Sequence, residues 1–191
     1  MNKTVLIVIG ILCAVITVTG IMWYNSPLNT ALRQLHDKDP EISYNACDKI
    51  IRLGDKSLIP EITKLLHDND PKVRWATPSL LVNLGDKEAI PKIIKLLKDS
   101  DPTVRYSAIQ GLYYLHAKEV IPDITKVLQD SNPSVRYMAI GALGNLGAKE
   151  SIPQIKKLLK DKEEQIRKEA ESALKQLGVP EEEIQKAKQE K

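Results

Sequence analysis

An all-α fold, a right-handed α-solenoid of five helix pairs behind one N-terminal transmembrane helix, is predicted by three features of this 191-residue chain. The first is a 31-residue period running from residue 28 to about 178. Pro40, Pro71, Pro102 and Pro133 keep that step, and Glu164 stands where a fifth proline would fall. Ile59-Pro60, Ile90-Pro91, Ile121-Pro122 and Ile152-Pro153 keep it too, as do Leu53, Leu84, Leu115, Leu146 and Leu177. The second is helical spacing of apolar residues inside each period. The third is an uncharged, Val/Ile/Leu-rich run at residues 4–23. Self-similarity at such a step marks a solenoid, whose units bury their apolar faces only against their neighbours.

The leader comes first in the chain. Twenty residues at 1.5 Å rise make a helix of roughly 30 Å, the hydrocarbon thickness of a bilayer. Trp23 and Tyr24 follow where an aromatic belt would sit. We read an uncleaved anchor at 1–24. A cleaved secretory signal is the alternative, although its apolar core is usually shorter and no A-x-A site follows here. Lys3 abuts the run, whereas Arg33 and Lys38 lie farther off, so the positive-inside rule favours an inside N-terminus and extracytoplasmic repeats. The predicted localisation is therefore membrane, single-pass, or secreted if the leader is cleaved.

The solenoid is predicted over 25–179. In the unit at 87–116, Ile90, Ile93, Leu96 and Leu97 form the stripe of a first helix. Pro91 is tolerable there because a first-turn N–H has no partner to lose. Asp101 caps a second helix and Pro102 opens it. Val104, Ala108, Leu112 and Leu115 give that helix one apolar face. Gly54, Gly85, Gly147 and Gly178 end the sister helices, and His116 takes the glycine's place in this unit. Second helices are predicted near 40–53, 71–84, 102–115, 133–146 and 163–177. The first pair opens at Ser26-Pro27. At 180–191, Glu181–Glu183 and the later lysines match a helix dipole, predicting a polar C-terminal cap helix or tail.

Composition excludes several function classes. Lys and Arg number 28 against 25 Asp and Glu, a net charge of +3, too balanced for a nucleic-acid binder. Two cysteines, Cys13 and Cys47, make no disulfide framework. His36, His67 and His116 have no second ligand at a metal-binding spacing. No Gly-rich phosphate loop or nucleophile elbow occurs. No catalytic residue, metal or cofactor is assigned, and an enzyme is not predicted.

Three strings, Leu66–Arg74, Leu97–Arg105 and Leu128–Arg136, share L-x-D-x-[DN]-P-x-V-R, with A-x-x-x-L-x-x-L-G later in the unit. The pattern resembles the short HEAT-like repeat named after phycobilisome lyases, over about 150 residues. The first unit departs from it with Ser43 for the arginine, and the fifth with Lys162-Glu163-Glu164 for the Asp-Pro turn. The resemblance implies a structural ladder of ion pairs between Asp37, Asp68, Asp99, Asp130 and Asp161 and Arg74, Arg105, Arg136 and Arg167. It also leaves open a bilin-lyase-like activity, which a membrane leader fits poorly. The iron hydroxylases of similar fold carry His-Glu ligand pairs, and this chain has none.

The aromatic residues mark the candidate partner-binding groove. Tyr44, Trp75, Tyr106 and Tyr137 occupy one repeat position, two residues beyond Ile42, Val73, Val104 and Val135 of the core stripe, which turns them away from it. Tyr113 and Tyr114 lie on the same second helix as Tyr106. The resemblance implies that second helices line the concave surface, where Tyr and Trp are favoured hot-spot residues. Packing of each ring on the next repeat is the alternative. Lysine rows at 56, 87, 118 and 149 and at 64, 95, 126 and 157 read as solvated surface rather than as a lipid-binding rail. The predicted function is a membrane-anchored protein- or peptide-binding scaffold. The alternative is a structural spacer or assembly subunit without a groove ligand.

Overall fold

A computed structural model describes residues 27–189 apart from Ala117. The apolar run at 4–23, the flanking Trp23 and Tyr24, and the Ser26 cap lie outside the described residues. Among the described residues every element is helical, and no helix is long and apolar enough to cross a membrane.

The chain divides into two compact units, Met1–Asp55 and Lys56–Lys191. The described part of the first holds α1 (Pro27–Gln34) and α2 (Pro40–Leu53). Its buried residues are Ala31, Leu35, Ala46 and Ile50. Asp39 caps α2 by accepting the Glu41 N–H at 2.9 Å. Ser43, standing where other units have arginine, donates instead to the Leu35 carbonyl at 3.0 Å.

The second unit holds four helix pairs and a last helix. The first helices are α3 (Ile59–Lys64), α5 (Ile90–Leu96), α7 (Ile121–Val127) and α9 (Ile152–Lys157). The second helices are α4 (Pro71–Asn83), α6 (Pro102–Tyr114), α8 (Pro133–Leu146) and α10 (Glu164–Gln176), and α11 (Glu181–Gln189) follows. Consecutive second helices pack side by side, each also against its own first helix.

The sequence did not show the 3₁₀ turns that precede the first helices at Lys56–Leu58, Lys87–Ala89, Lys118–Val120 and Lys149–Ser151. Their cause is the proline. Pro91 has no N–H for the Lys87 carbonyl four residues back, so the Ile90 N–H takes it in a tighter turn. Ile152 does the same for Lys149.

The core follows the stripe. Ile93, Val104, Ala108, Leu112, Ile124, Val135, Ala139, Ile155 and Ala170 are all fully buried. Ile42, expected to be buried like Val73, Val104 and Val135, is only half-buried. Leu53 is exposed, whereas Leu84, Leu115, Leu146 and Leu177 are buried. These two departures fall in the first repeat.

Two kinds of backbone position need particular residues. Gly54, Gly85, Gly147 and Gly178 have positive φ at the helix ends, and His116 adopts the same region with φ 52°. A Cβ on Gly111 would stand 2.9 Å from Pro78 Cβ, so this glycine admits the mid-helix proline of α4 against α6. At the C-terminus α11 is docked rather than free: Ile184 is fully buried, and Lys188 pairs with Glu171 at 2.6 Å. Lys175 also reaches Glu181 at 3.0 Å, and Lys156 pairs with Glu183.

Candidate functional site

Two kinds of polar residue open each second helix, and they do different things. Asp101 is the cap, its Oδ1 accepting the Thr103 N–H at 2.7 Å. Asp70 and Asn132 act likewise on Lys72 and Ser134, each at 2.9 Å. Asp99 faces the neighbouring unit. Its Oδ2 and Oδ1 accept from Arg74 Nε at 2.7 Å and Nη2 at 2.8 Å. Arg105 grips Asp130 in the same way at 2.7 Å and 2.7 Å, and Arg136 grips Asp161 at 2.9 Å and 2.8 Å.

Each arginine reaches forward 25 residues because aspartate and arginine are six apart within a unit that repeats every 31. The remaining Nη1 donates back to the carbonyls of its own turn, for Arg105 those of Asp99 and Ser100. Burial of these charges is tolerable because each fork is bidentate and each carboxylate also accepts a backbone N–H. Indeed, no buried side-chain N or O among the described residues lacks a partner.

The Arg74 hydrogen bonds hold the Asp99 carboxyl below the usual carboxylate range, against the opposing effect of burial. At Asp130 and Asp161 burial pushes the carboxyl up, but the arginine and a backbone N–H outweigh it, so both also sit low. The two ends of the ladder differ. Asp68 accepts the Asp70 N–H at 2.9 Å, and the residue 25 before it is Ser43, not an arginine. Arg167 Nη1 donates to the carbonyls of Asp161 and Lys162 at 2.8 Å and 3.0 Å.

The other face of the second helices carries the aromatic residues. Trp75 on α4 is 48% exposed, Tyr114 on α6 55% and Tyr137 on α8 44%. Tyr106 and Tyr113 on α6 are half-buried. Tyr44, on α2 of the first unit, is exposed at 72%. Within the second unit the rows are in register. Ser107 donates to the Trp75 carbonyl at 2.5 Å, tying α6 to α4 at the level of the rings. Gln176 donates to Asn145 Oδ1 at 2.9 Å, tying α10 to α8 one repeat apart. Tyr113 and Tyr114 have ring centroids 5.1 Å apart.

Sequence reasoning missed the groove at the end of this face. It has a volume of about 610 Å³ and lies between Tyr106, Tyr137 and the start of α10, with Glu163 and Glu164 on its wall. At its edge the Glu169 carboxylate, by its charge and by accepting the Tyr137 hydroxyl's hydrogen bond, pushes that phenol above its ordinary range. One signal was present: Glu163 stands where sister units have Asp70, Asp101 and Asn132. One methylene longer, it makes no cap hydrogen bond. The lysine rows, by contrast, are partly neutralised locally, with Lys64 on Glu61 at 2.7 Å and Lys126 on Asp123 at 2.9 Å.

The fold is similar to that of the complex of CpcE and CpcF of phycocyanin lyase from Nostoc sp. PCC7120. That likeness has 23% identity and a TM-score of 0.63, over 80% of this chain and 65% of that one. The chain thus spans slightly less than two thirds of that lyase chain. It is also similar to computationally designed armadillo repeat proteins for modular peptide recognition. Here the identity is 22% and the TM-score 0.51, over 78% of this chain and 81% of that one. An engineered protein matches at 22% identity and a TM-score of 0.51, over 84% and 83% of the two chains. At these identities the likeness is one of fold. Among curated proteins none matches. The family model for HEAT repeats matches residues 28–112 and 90–175, so the stacked pairs and their Asp–Arg rungs are those of a protein that belongs to the HEAT-repeat family.

Proposed function

We propose that this chain is a scaffold that binds a protein or peptide on the second-helix face of its solenoid, held at a membrane by residues 4–23 with the repeats on the extracytoplasmic side. It is not an enzyme in this reading. The observation that carries it is the aromatic row, in which Trp75 and Tyr137 each leave close to half of their surface in solvent, with Tyr114 exposed on the same helix as Tyr106. Large rings left exposed together are typical of partner-binding surfaces. The ladder beneath them supports the reading, because a stiff stack presents its side chains with little ordering cost. The fold shared with proteins designed for peptide recognition supports it as well. The likeness to phycocyanin lyase is a likeness of fold and carries no bilin chemistry to this chain.

Proximity labelling in the native membrane, comparing the wild type with the Trp75→Ala/Tyr106→Ala variant, tests the binding face. A set of neighbours lost in the variant, with its helicity and melting nearly preserved, is the expected result. An unchanged set would leave the molecule a spacer that contacts its neighbours elsewhere. Protease protection of intact membranes reads the anchor and its side in the same preparation.

A further inference from the structure

Charge is divided between the two helix layers of the second unit. The layer made by α3, α5, α7 and α9 with their turns is rich in lysine, and its Lys87, Lys92, Lys95, Lys98 and Lys149 form no ion pair among the described residues. The second-helix layer is poorer in lysine from α4 to α8, and at its far end, on and before α10, it holds Glu163, Glu164, Glu169 and Glu171 beside Lys162, Arg167, Lys168 and Lys175. The aromatic row leads into that end. The groove there is walled by two rings, Tyr106 and Tyr137, and by the carboxylates of Glu163 and Glu164, and no cation lines it.

Of the cations near it, Lys162 precedes Glu163 in the chain but does not line the groove. Lys168 sits on Glu164 at 2.6 Å, and Arg167 is turned to the carbonyls of Asp161 and Lys162. Glu163, freed from capping, has no such cation of its own. A tyrosine face attracts a cation through its quadrupole, and a carboxylate across the groove adds a charge-assisted hydrogen bond. An acidic or phosphorylated ligand would face the Glu163 carboxylate with no cation lining the groove to offset it.

From this complementarity we infer that the partner on the second-helix face is a basic, extended peptide segment. One of its Lys or Arg side chains enters the groove between Tyr106, Tyr137 and Glu163, and its apolar portions run along the row toward Trp75. The inference rests on the binding-face reading above and adds the chemistry of the ligand.

The test uses the full chain in non-ionic detergent and two fluorescent twelve-residue peptides, one alternating Lys and Ser, the other alternating Glu and Ser. Anisotropy should show saturable binding of the Lys-Ser peptide alone. Affinity should fall roughly threefold to fivefold in Glu163→Gln/Glu164→Gln, the loss of one exposed charge pair. Both glutamates are exposed, so the variant folds, and its melting curve provides the check. Tyr137→Leu should weaken binding in the same way while keeping the groove filled.

Equal binding of the two peptides, or wild-type affinity in the double variant, overturns the inference. The binding-face reading then still stands if Trp75→Ala/Tyr106→Ala loses its labelled neighbours, and falls with it if that set is unchanged. Light scattering separates one further occupant. Self-association that disappears in Glu163→Gln/Glu164→Gln, without binding of the Lys-Ser peptide, would assign the groove to the lysine-rich layer of a second copy and also overturn the peptide.

Discussion

At the scale of single residues, the repeat shows what happens when one position is filled by the wrong kind of side chain. Four helix ends use glycine in the left-handed region, and the fifth uses His116 at φ 52°. A side chain there costs roughly 1–2 kcal/mol because its Cβ crowds the carbonyl. Its ring lies 6.3 Å from that of Tyr113, a contact too weak to offset the backbone term. His116→Gly should therefore raise thermal stability by about 1 kcal/mol, the glycine's extra freedom in the unfolded chain taking back part of the gain. A calorimetric melt checks this, and a lower melting temperature would show that the ring contact is worth more than the strain. Glu163 is the opposite case. Asp70, Asp101 and Asn132 reach the helix N–H groups, and the longer glutamate does not, which leaves its charge for another use.

At the scale of elements, each first helix of the second unit is only six or seven residues long. Helices that short are not stable alone in water. They persist because Ile62, Ile93, Ile124 and Ile155 are driven into the spine between neighbouring pairs. The same holds for α11, nine residues with one fully buried apolar anchor and several ion pairs. Its salt bridges are exposed enough to contribute little, so Ile184 is the residue that docks it. Ile184→Ala should release α11, and trypsin should cut at Lys186 and Lys188 well before the second unit melts. Cleavage no faster than in the wild type would place the docking energy in the Glu171 and Glu181 pairs instead.

At the scale of the whole molecule, the ladder couples stacking to pH. Asp99, Asp130 and Asp161 have folded-state pKa values below the unfolded value of about 3.9. Their contribution is thus fully present above that value and is lost as the pH falls through the folded values. Melting temperature should hold from pH 7 to 5 as far as the ladder is concerned, and fall below about pH 4. Arg105→Ala leaves Asp130 buried without its partner, which should cost about 3–5 kcal/mol at pH 7. Its melting temperature should also fall less steeply in acid, because Asp130 no longer holds a depressed pKa. Parallel acid limbs for wild type and variant, by circular dichroism, would remove the ladder as the source of the pH dependence.

The 31-residue step alone determined that the chain is a stack of short helix pairs, because a hairpin with one apolar stripe has no way to bury it except against its like. Pro102 after Asp101, and the glycines thirty-one apart, likewise set helix starts and ends locally. Other matters depended on where distant residues meet. The spacing of aspartate and arginine did not say that each arginine passes over its own unit's carboxylate and grips the next one. The predicted helix near 71–84 runs through Pro78, and the sequence did not show that Gly111, one repeat on, makes room for it. The groove beside Glu163 is made from three helices of three repeats, and no window of sequence contains it. Periodicity is written in the chain because every unit obeys the same local rules, whereas a site depends on the few residues that break the pattern, and only packing decides what those residues face.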